Sequence, residues 1–171
     1  MAFIDAVKSA LPDYAKDTKL NLDAVLLRST LDADVAMGCA VAALAAGHGG
    51  LAFEIEPNSP LFLADAEREA AKTAASLMGQ NNIWYPFVEM AGDESMKGLP
   101  AGLRMNAYAT HGGVSKKKFE MYSLAASIIG KCHYCVKAHY DTLKKEGMTT
   151  QELMAIGRIA AVVHSIGKIS L

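Results

Sequence analysis

Cys132 and Cys135 stand at i,i+3 spacing, and His139 follows one helical turn beyond the second thiol. Residues three apart on a helix have Cβ atoms about 5–6 Å from each other, so a modest adjustment in a first turn brings two sulfurs into bonding range. Such a pair can cycle between dithiol and disulfide. Cysteine attacks as its thiolate, and the unpaired N–H groups and dipole of a helix N-terminus favour that form. The imidazole of His139 shares a helical face with Cys135, where it can take a proton from the thiol or give one to a leaving oxygen. Lys131 adds positive potential just ahead of the pair. Glu120 is a lone carboxylate beside Met121, Tyr122 and Leu124. If Gly130 and Lys131 break the helix that carries it and the next helix packs back at an angle, Glu120 returns to the histidine, directly or through a water. Together these groups read as thiol redox chemistry with a proton relay.

The same donors also suit a zinc-binding structural module, with His133, His111 or His164 joining Cys132, Cys135 and His139 as a fourth ligand. Against zinc, no second pair at knuckle spacing is present, and the three near ligands lie on one helix. A redox-sensing regulator would use the same cluster but oxidise once and signal through a partner. Cys39, isolated in an alanine-rich stretch, reads as a small core residue. Three cysteines with two at redox spacing do not resemble a secreted disulfide scaffold, and the expected compartment is a reducing cytoplasm.

The elements that must position these groups are helical. Leu153, Ile156, Ala160, Val163 and Ile166 step by three or four residues, Thr149 and Glu152 form a capping-box pattern ahead of them, and Gly147 closes the preceding helix. Phe119, Tyr122, Ala126 and Ile129 make a second stripe that ends at Gly130. Asp65 to Met78 is rich in strong helix formers, and the Asn81-Asn82 pair beyond it reads as a helix end beside an aromatic cluster of Trp84 and Tyr85. Punctuation by Gly and Pro falls at Pro12, His48 to Gly50, Pro57 to Pro60, Gly92 to Gly102 and His111 to Gly113. No segment has convincing strand periodicity. The expectation is one compact all-α domain over residues 1–171, with the redox site in the second half, about 115–171. Each half has a small-residue helix (Val35 to Ala46; Met121 to Ile129) followed by an alanine-rich amphipathic one (Ala66 to Leu77; Glu152 to Val163), a pattern compatible with an internal two-fold repeat.

Seventeen Lys and Arg against eighteen Asp and Glu give a net charge of −1, and the sole basic run is Lys116 to Lys118. That leaves no electrostatic footprint for nucleic acid. Val35 to Phe53 carries no formal charge, but alanine gains little from hydrocarbon and glycines interrupt the run, so it reads as a buried helix stopping near Gly47, not a membrane span. The N-terminal residues lack a basic lead and a long apolar core and read as part of the mature fold.

At Glu120, Cys132-x-x-Cys135 and His139 the chain closely resembles the alkyl hydroperoxide reductase D type of proteins, within the carboxymuconolactone decarboxylase-like family. The resemblance extends through Met78 to Tyr85, Gly102 to Asn106 and Leu11 to Leu22, and covers the full chain. It implies an all-helical homotrimer and a thiol-dependent peroxidase that reduces alkyl hydroperoxides and hydrogen peroxide. It also implies no bound cofactor: electrons come from a dihydrolipoyl group carried by a 2-oxoacid dehydrogenase component, and a peroxiredoxin of the alkyl hydroperoxide reductase C type is an expected partner. Carried over residue by residue, Cys135 matches the thiol that forms the sulfenic acid, Cys132 the resolving thiol, and Glu120 and His139 the relay. Tyr134 departs from the pattern, since the best-known members carry histidine directly before the second cysteine. A phenol there can supply a hydrogen bond but is no base near neutral pH. A lactone decarboxylase is disfavoured because that chemistry does not call for a vicinal thiol pair.

Overall fold

The computed structural model describes residues 2–48, 63–96 and 98–169. These residues form eight α-helices and three short 3-10 turns, with no strand among them. The helices are α1 (Ala2–Ala10), α2 (Lys16–Leu26), α3 (Ala33–His48), α4 (Asp65–Ala91), α5 (Asn106–Ala109), α6 (Lys116–Ile129), α7 (His133–Lys145) and α8 (Thr150–Ile166). The punctuation expected at Gly49, Gly50 and Pro57 to Pro60 lies outside the described residues. None of the described helices is long and apolar enough to cross a membrane.

Helix α6 is the axis of the domain. Every residue from Phe119 to Ser127 on it is buried, because α3, α4, α7 and α8 all pack around it. The facing positions on α3 and α4 are small: Ala36, Cys39, Ala42, Ala70, Ala71 and Ala74 have no exposed surface. Alanine lets helix backbones approach closely, so the larger Phe119, Tyr122 and Leu124 of α6 find dispersion contacts on several sides. Lys118 ties three of these helices by charge, reaching Asp34 of α3 at 2.6 Å and also pairing with Glu67 of α4.

Two sequence features act as expected. Thr149 and Glu152 form both arms of a capping box at the start of α8. The chain also breaks after Ile129, so α6 and α7 are separate helices. One expectation is corrected: α4 does not end near Met78, and Asn81-Asn82 is not a helix end. The helix runs on to Ala91, straight through Pro86. An interior proline removes one intrahelical hydrogen bond and costs about 3 kcal/mol. The N-terminal half of α4 is anchored by burial of Ala70, Ala71, Ala74, Ala75, Leu77 and Met78. Asn82 is also buried, and its amide donates to the carbonyl of Ala126 on α6 at 3.1 Å. Local propensity marks asparagine as a stop, and this tertiary hydrogen bond overrides it.

Candidate active site

The link between α6 and α7 sets the geometry of the two thiols. Lys131 adopts a left-handed conformation (φ 54°) that turns the chain from one helix into the next. For a residue with a β-carbon this costs roughly 1–2 kcal/mol. Gly130, just before it, lies against α4: a β-carbon there would fall 2.1 Å from the amide nitrogen of Asn82. Only glycine lets the end of α6 approach α4 this closely.

Cys132 is the N-cap of α7, and its sulfur accepts the backbone N–H of Cys135 at 3.2 Å. The two cysteines are joined as a disulfide with their Cα atoms 5.3 Å apart. Both are buried, and Cys132 Sγ sits 3.9 Å from the carbonyl oxygen of Asn81 on α4. Helix α7 buries one stripe only, Cys135, His139 and Leu143, at successive i,i+4 steps. The second thiol and the imidazole therefore face the same interior side, against α6.

On α6, Glu120 meets that stripe. Its Oε2 lies 2.7 Å from Nδ1 of His139, and both side chains are buried, at 2% and 8% exposure. The Tyr108 hydroxyl, arriving from α5, donates to the other oxygen, Oε1. Burial pushes the Glu120 carboxyl up. The hydrogen bonds from His139 and Tyr108, with the charges of His139 and Lys116, outweigh burial and hold it below the usual carboxylate value. Glu120 is thus kept ionised inside the protein, which favours Nδ1–H as the donor of His139 and leaves Nε2 as the nitrogen available for proton exchange. In this disulfide state Nε2 faces Met78 Sδ at 3.1 Å, and neither ring nitrogen is hydrogen-bonded to a cysteine sulfur.

The structure therefore brings Glu120, His139, Cys132 and Cys135 to one junction of α4, α6 and α7. Tyr134 stands apart from the carboxylate–imidazole pair. It is 59% exposed, its ring stacks on Tyr85 at 4.3 Å, and its hydroxyl bonds neither Glu120 nor His139. A phenol does reach Glu120, but it belongs to Tyr108. Sequence reading missed Tyr108 and Met78, because no helical spacing connects them to Glu120 or His139. Cys39 is buried in the core, where desolvation pushes its thiol up, so it is inert. Among the described residues no group of three or more His, Cys, Asp and Glu is arranged to hold a metal ion.

Two neighbouring clefts flank the buried site. Cys132, His133, Val136, Lys137 and Tyr140 line one of 520 Å³. Trp84, Tyr85, Leu99 and Tyr134 line another of 730 Å³, which shares His133 and Lys137 with the first.

A disulfide across the first turn of a helix, with an ionised carboxylate and an imidazole buried one turn further on, is the arrangement of a thiol–disulfide oxidoreductase in an all-helical scaffold. Comparison with known proteins agrees. Residues 96–170 match the profile of the Carboxymuconolactone decarboxylase family. The chain is 40% identical to alkyl hydroperoxide reductase AhpD of Rhodospirillum centenum over 97% of its own length and 89% of the relative's. The corresponding protein of Maricaulis maris is 41% identical over 97% and 96% of the two chains, and that of Streptomyces coelicolor 38% identical over 96% and 92%. The chain belongs to the alkyl hydroperoxide reductase AhpD family and is an enzyme of the oxidoreductase class.

Proposed function

We propose that this enzyme is a thiol-dependent peroxidase that reduces alkyl hydroperoxides and hydrogen peroxide through a Cys132/Cys135 dithiol–disulfide cycle. The observation that carries this reading is the pairing of a Cys-x-x-Cys disulfide with the buried Glu120–His139 couple on the adjoining turn. In the first step the Cys135 thiolate attacks a peroxide oxygen. The O–O bond breaks, Cys135 becomes a sulfenic acid, and the departing alkoxide takes a proton to leave as alcohol. Cys132 then attacks the Cys135 sulfur. An S–S bond forms, the S–O bond breaks, and hydroxide leaves as water with a proton from the relay. An external dithiol attacks the disulfide and closes its own ring, which returns both protein thiols. The balance is one hydroperoxide and one dithiol converted to alcohol, water and a cyclic disulfide.

His139 serves this cycle as the proton carrier, with Glu120 fixing its tautomer and stabilising its charged form. Reduction of the disulfide frees the Cys135 thiol to turn about its Cα–Cβ bond toward the imidazole one turn along the same face. The external dithiol meets Cys132, a choice supported by the cleft that this residue lines. The donor class we propose is a dihydrolipoyl group carried by a 2-oxoacid dehydrogenase component, in a reducing cytoplasm. A peroxiredoxin of the alkyl hydroperoxide reductase C type is the proposed protein partner. A homotrimer completes the proposal. It is supported by Ile83, Phe87 and Met90, which leave large apolar side chains exposed at i, i+4 and i+7 along α4.

Steady-state peroxide consumption with dihydrolipoamide, compared against thioredoxin and glutathione as donors, tests the proposal. Dihydrolipoamide should sustain turnover and the other two should do so poorly. Absence of peroxide consumption with every donor would overturn the peroxidase reading.

A further inference from the structure

Glu120 is held by two donors from two different elements. His139 of α7 takes Oε2, and the phenol of Tyr108 takes Oε1. Tyr108 is itself well fixed. Its ring meets Phe119 edge-on at 5.7 Å and 79°. The turn that follows is pressed onto the domain at Gly112, where the backbone has φ 60° and a β-carbon would lie 3.0 Å from Ala70 Cα and 3.1 Å from the Phe119 ring. The groups that bear on Glu120 are Tyr108 from α5, His139 from α7 and Lys116 on its own helix, while α4 contributes the Met78 thioether against His139.

A carboxylate with one oxygen free can rotate, exchange its oxygens and release the imidazole. When it is buried as deeply as Glu120, an oxygen without a donor also pushes it toward the neutral acid. A neutral Glu120 could no longer stabilise a protonated His139. We propose that Tyr108 is a positioning residue of the thiol site: its hydroxyl pins one oxygen of Glu120, so that the other stays on Nδ1 of His139 and the pair remains a carboxylate–imidazole couple. The hydrogen bond is charge-assisted, about twice as strong as one between neutral groups. The supporting hydrogen bond that a phenol at Tyr134 could have supplied comes here from Tyr108. It rests on the peroxidase reading above.

The sign of the effect follows from the two donors. Glu120 is ionised above its folded pKa, which Tyr108 helps to hold down, so removing the hydroxyl raises that pKa and moves the acid limb of turnover to higher pH. The test is Tyr108→Phe, measured as peroxide turnover with dihydrolipoamide across pH, alongside carbon-13 titration of the Glu120 carboxyl in the same protein. The acid limb of kcat and the carboxyl titration should both rise by about one to two pH units, the equivalent of one hydrogen bond to a charged group. KM and the alkaline plateau should stay within about twofold of the parent, since a positioning residue above the limb has little left to do. Incorporation of 3-fluorotyrosine at position 108, a stronger donor of nearly the same size, should move both in the opposite direction and covers the case in which Tyr108→Phe fails to fold. An unmoved limb and an unmoved titration, or a lowered plateau with no shift, would overturn the proposal. If the chain turns over no peroxide at all, the carboxyl titration still decides on Tyr108 separately from the peroxidase reading.

Discussion

The two thiols of the site have different surroundings. Both are buried, but Cys132 caps α7 beside a cleft, while Cys135 begins the stripe that leads to His139. If Cys135 attacks the peroxide, Cys135→Ser should abolish turnover. Cys132→Ser should still accumulate one sulfenic acid, which a dimedone-type probe and mass mapping would locate, without sustained turnover. A sulfenic acid trapped on Cys132 in the Cys135→Ser protein would reverse the two roles. For the relay, Glu120→Gln or His139→Gln should each lower turnover by roughly 10²–10⁴-fold, the usual range for a positioned acid or base. If the pair acts as a unit, the double mutant should cost little more than the worse single one. Tyr134→Phe should remain close to the parent, since its hydroxyl bonds neither member of the pair. Peroxide assays across pH, with circular dichroism as folding control, check all four proteins.

At the scale of the elements, the α6–α7 junction decides whether the thiols and the Glu120–His139 pair meet. It depends on contact between Gly130 and Asn82, and on a helix α4 long enough to carry Asn82 there. Gly130→Ala should force the end of α6 away from α4 and destabilise the fold by about 1–3 kcal/mol, the usual cost of overpacking. Urea denaturation would measure it as a lower midpoint at unchanged slope. The same substitution should weaken peroxide turnover even where the protein stays folded, because the link it displaces carries Cys132.

For the whole molecule, the apolar residues that remain outside the core bear on assembly. Ile83, Phe87 and Met90 are 73%, 48% and 80% exposed on the C-terminal half of α4, whereas the apolar face of its N-terminal half is buried. If this stripe is a subunit contact, Phe87→Glu should lower the mass seen by light scattering from trimer toward single chain while the helical signal is retained. An unchanged mass would place the contact elsewhere. A net charge of −1 offers little repulsion between copies, so packing complementarity has to set the assembly.

The sequence by itself determined what is local. The all-helical class, the capping box at Thr149 and Glu152, the break after Ile129 and the i,i+3 and i,i+4 relations among Cys132, Cys135 and His139 all follow from 3.6-residue periodicity and from a few residues with strong conformational preferences. The pairing of Glu120 with His139 needed knowledge of how α6 and α7 cross, and was legible only as a possibility that a family resemblance made specific. Tertiary structure alone decided the length of α4, where a buried hydrogen bond from Asn82 outweighs a local stop signal. It alone decided which phenol meets the carboxylate. Tyr134 sits directly before Cys135 in sequence yet points outward, because a residue adjacent to Cys135 on a helix lies about 100° around from the buried stripe. Tyr108 reaches Glu120 across a loop folded onto α4 and α6, and no spacing along the chain encodes a contact made by folding.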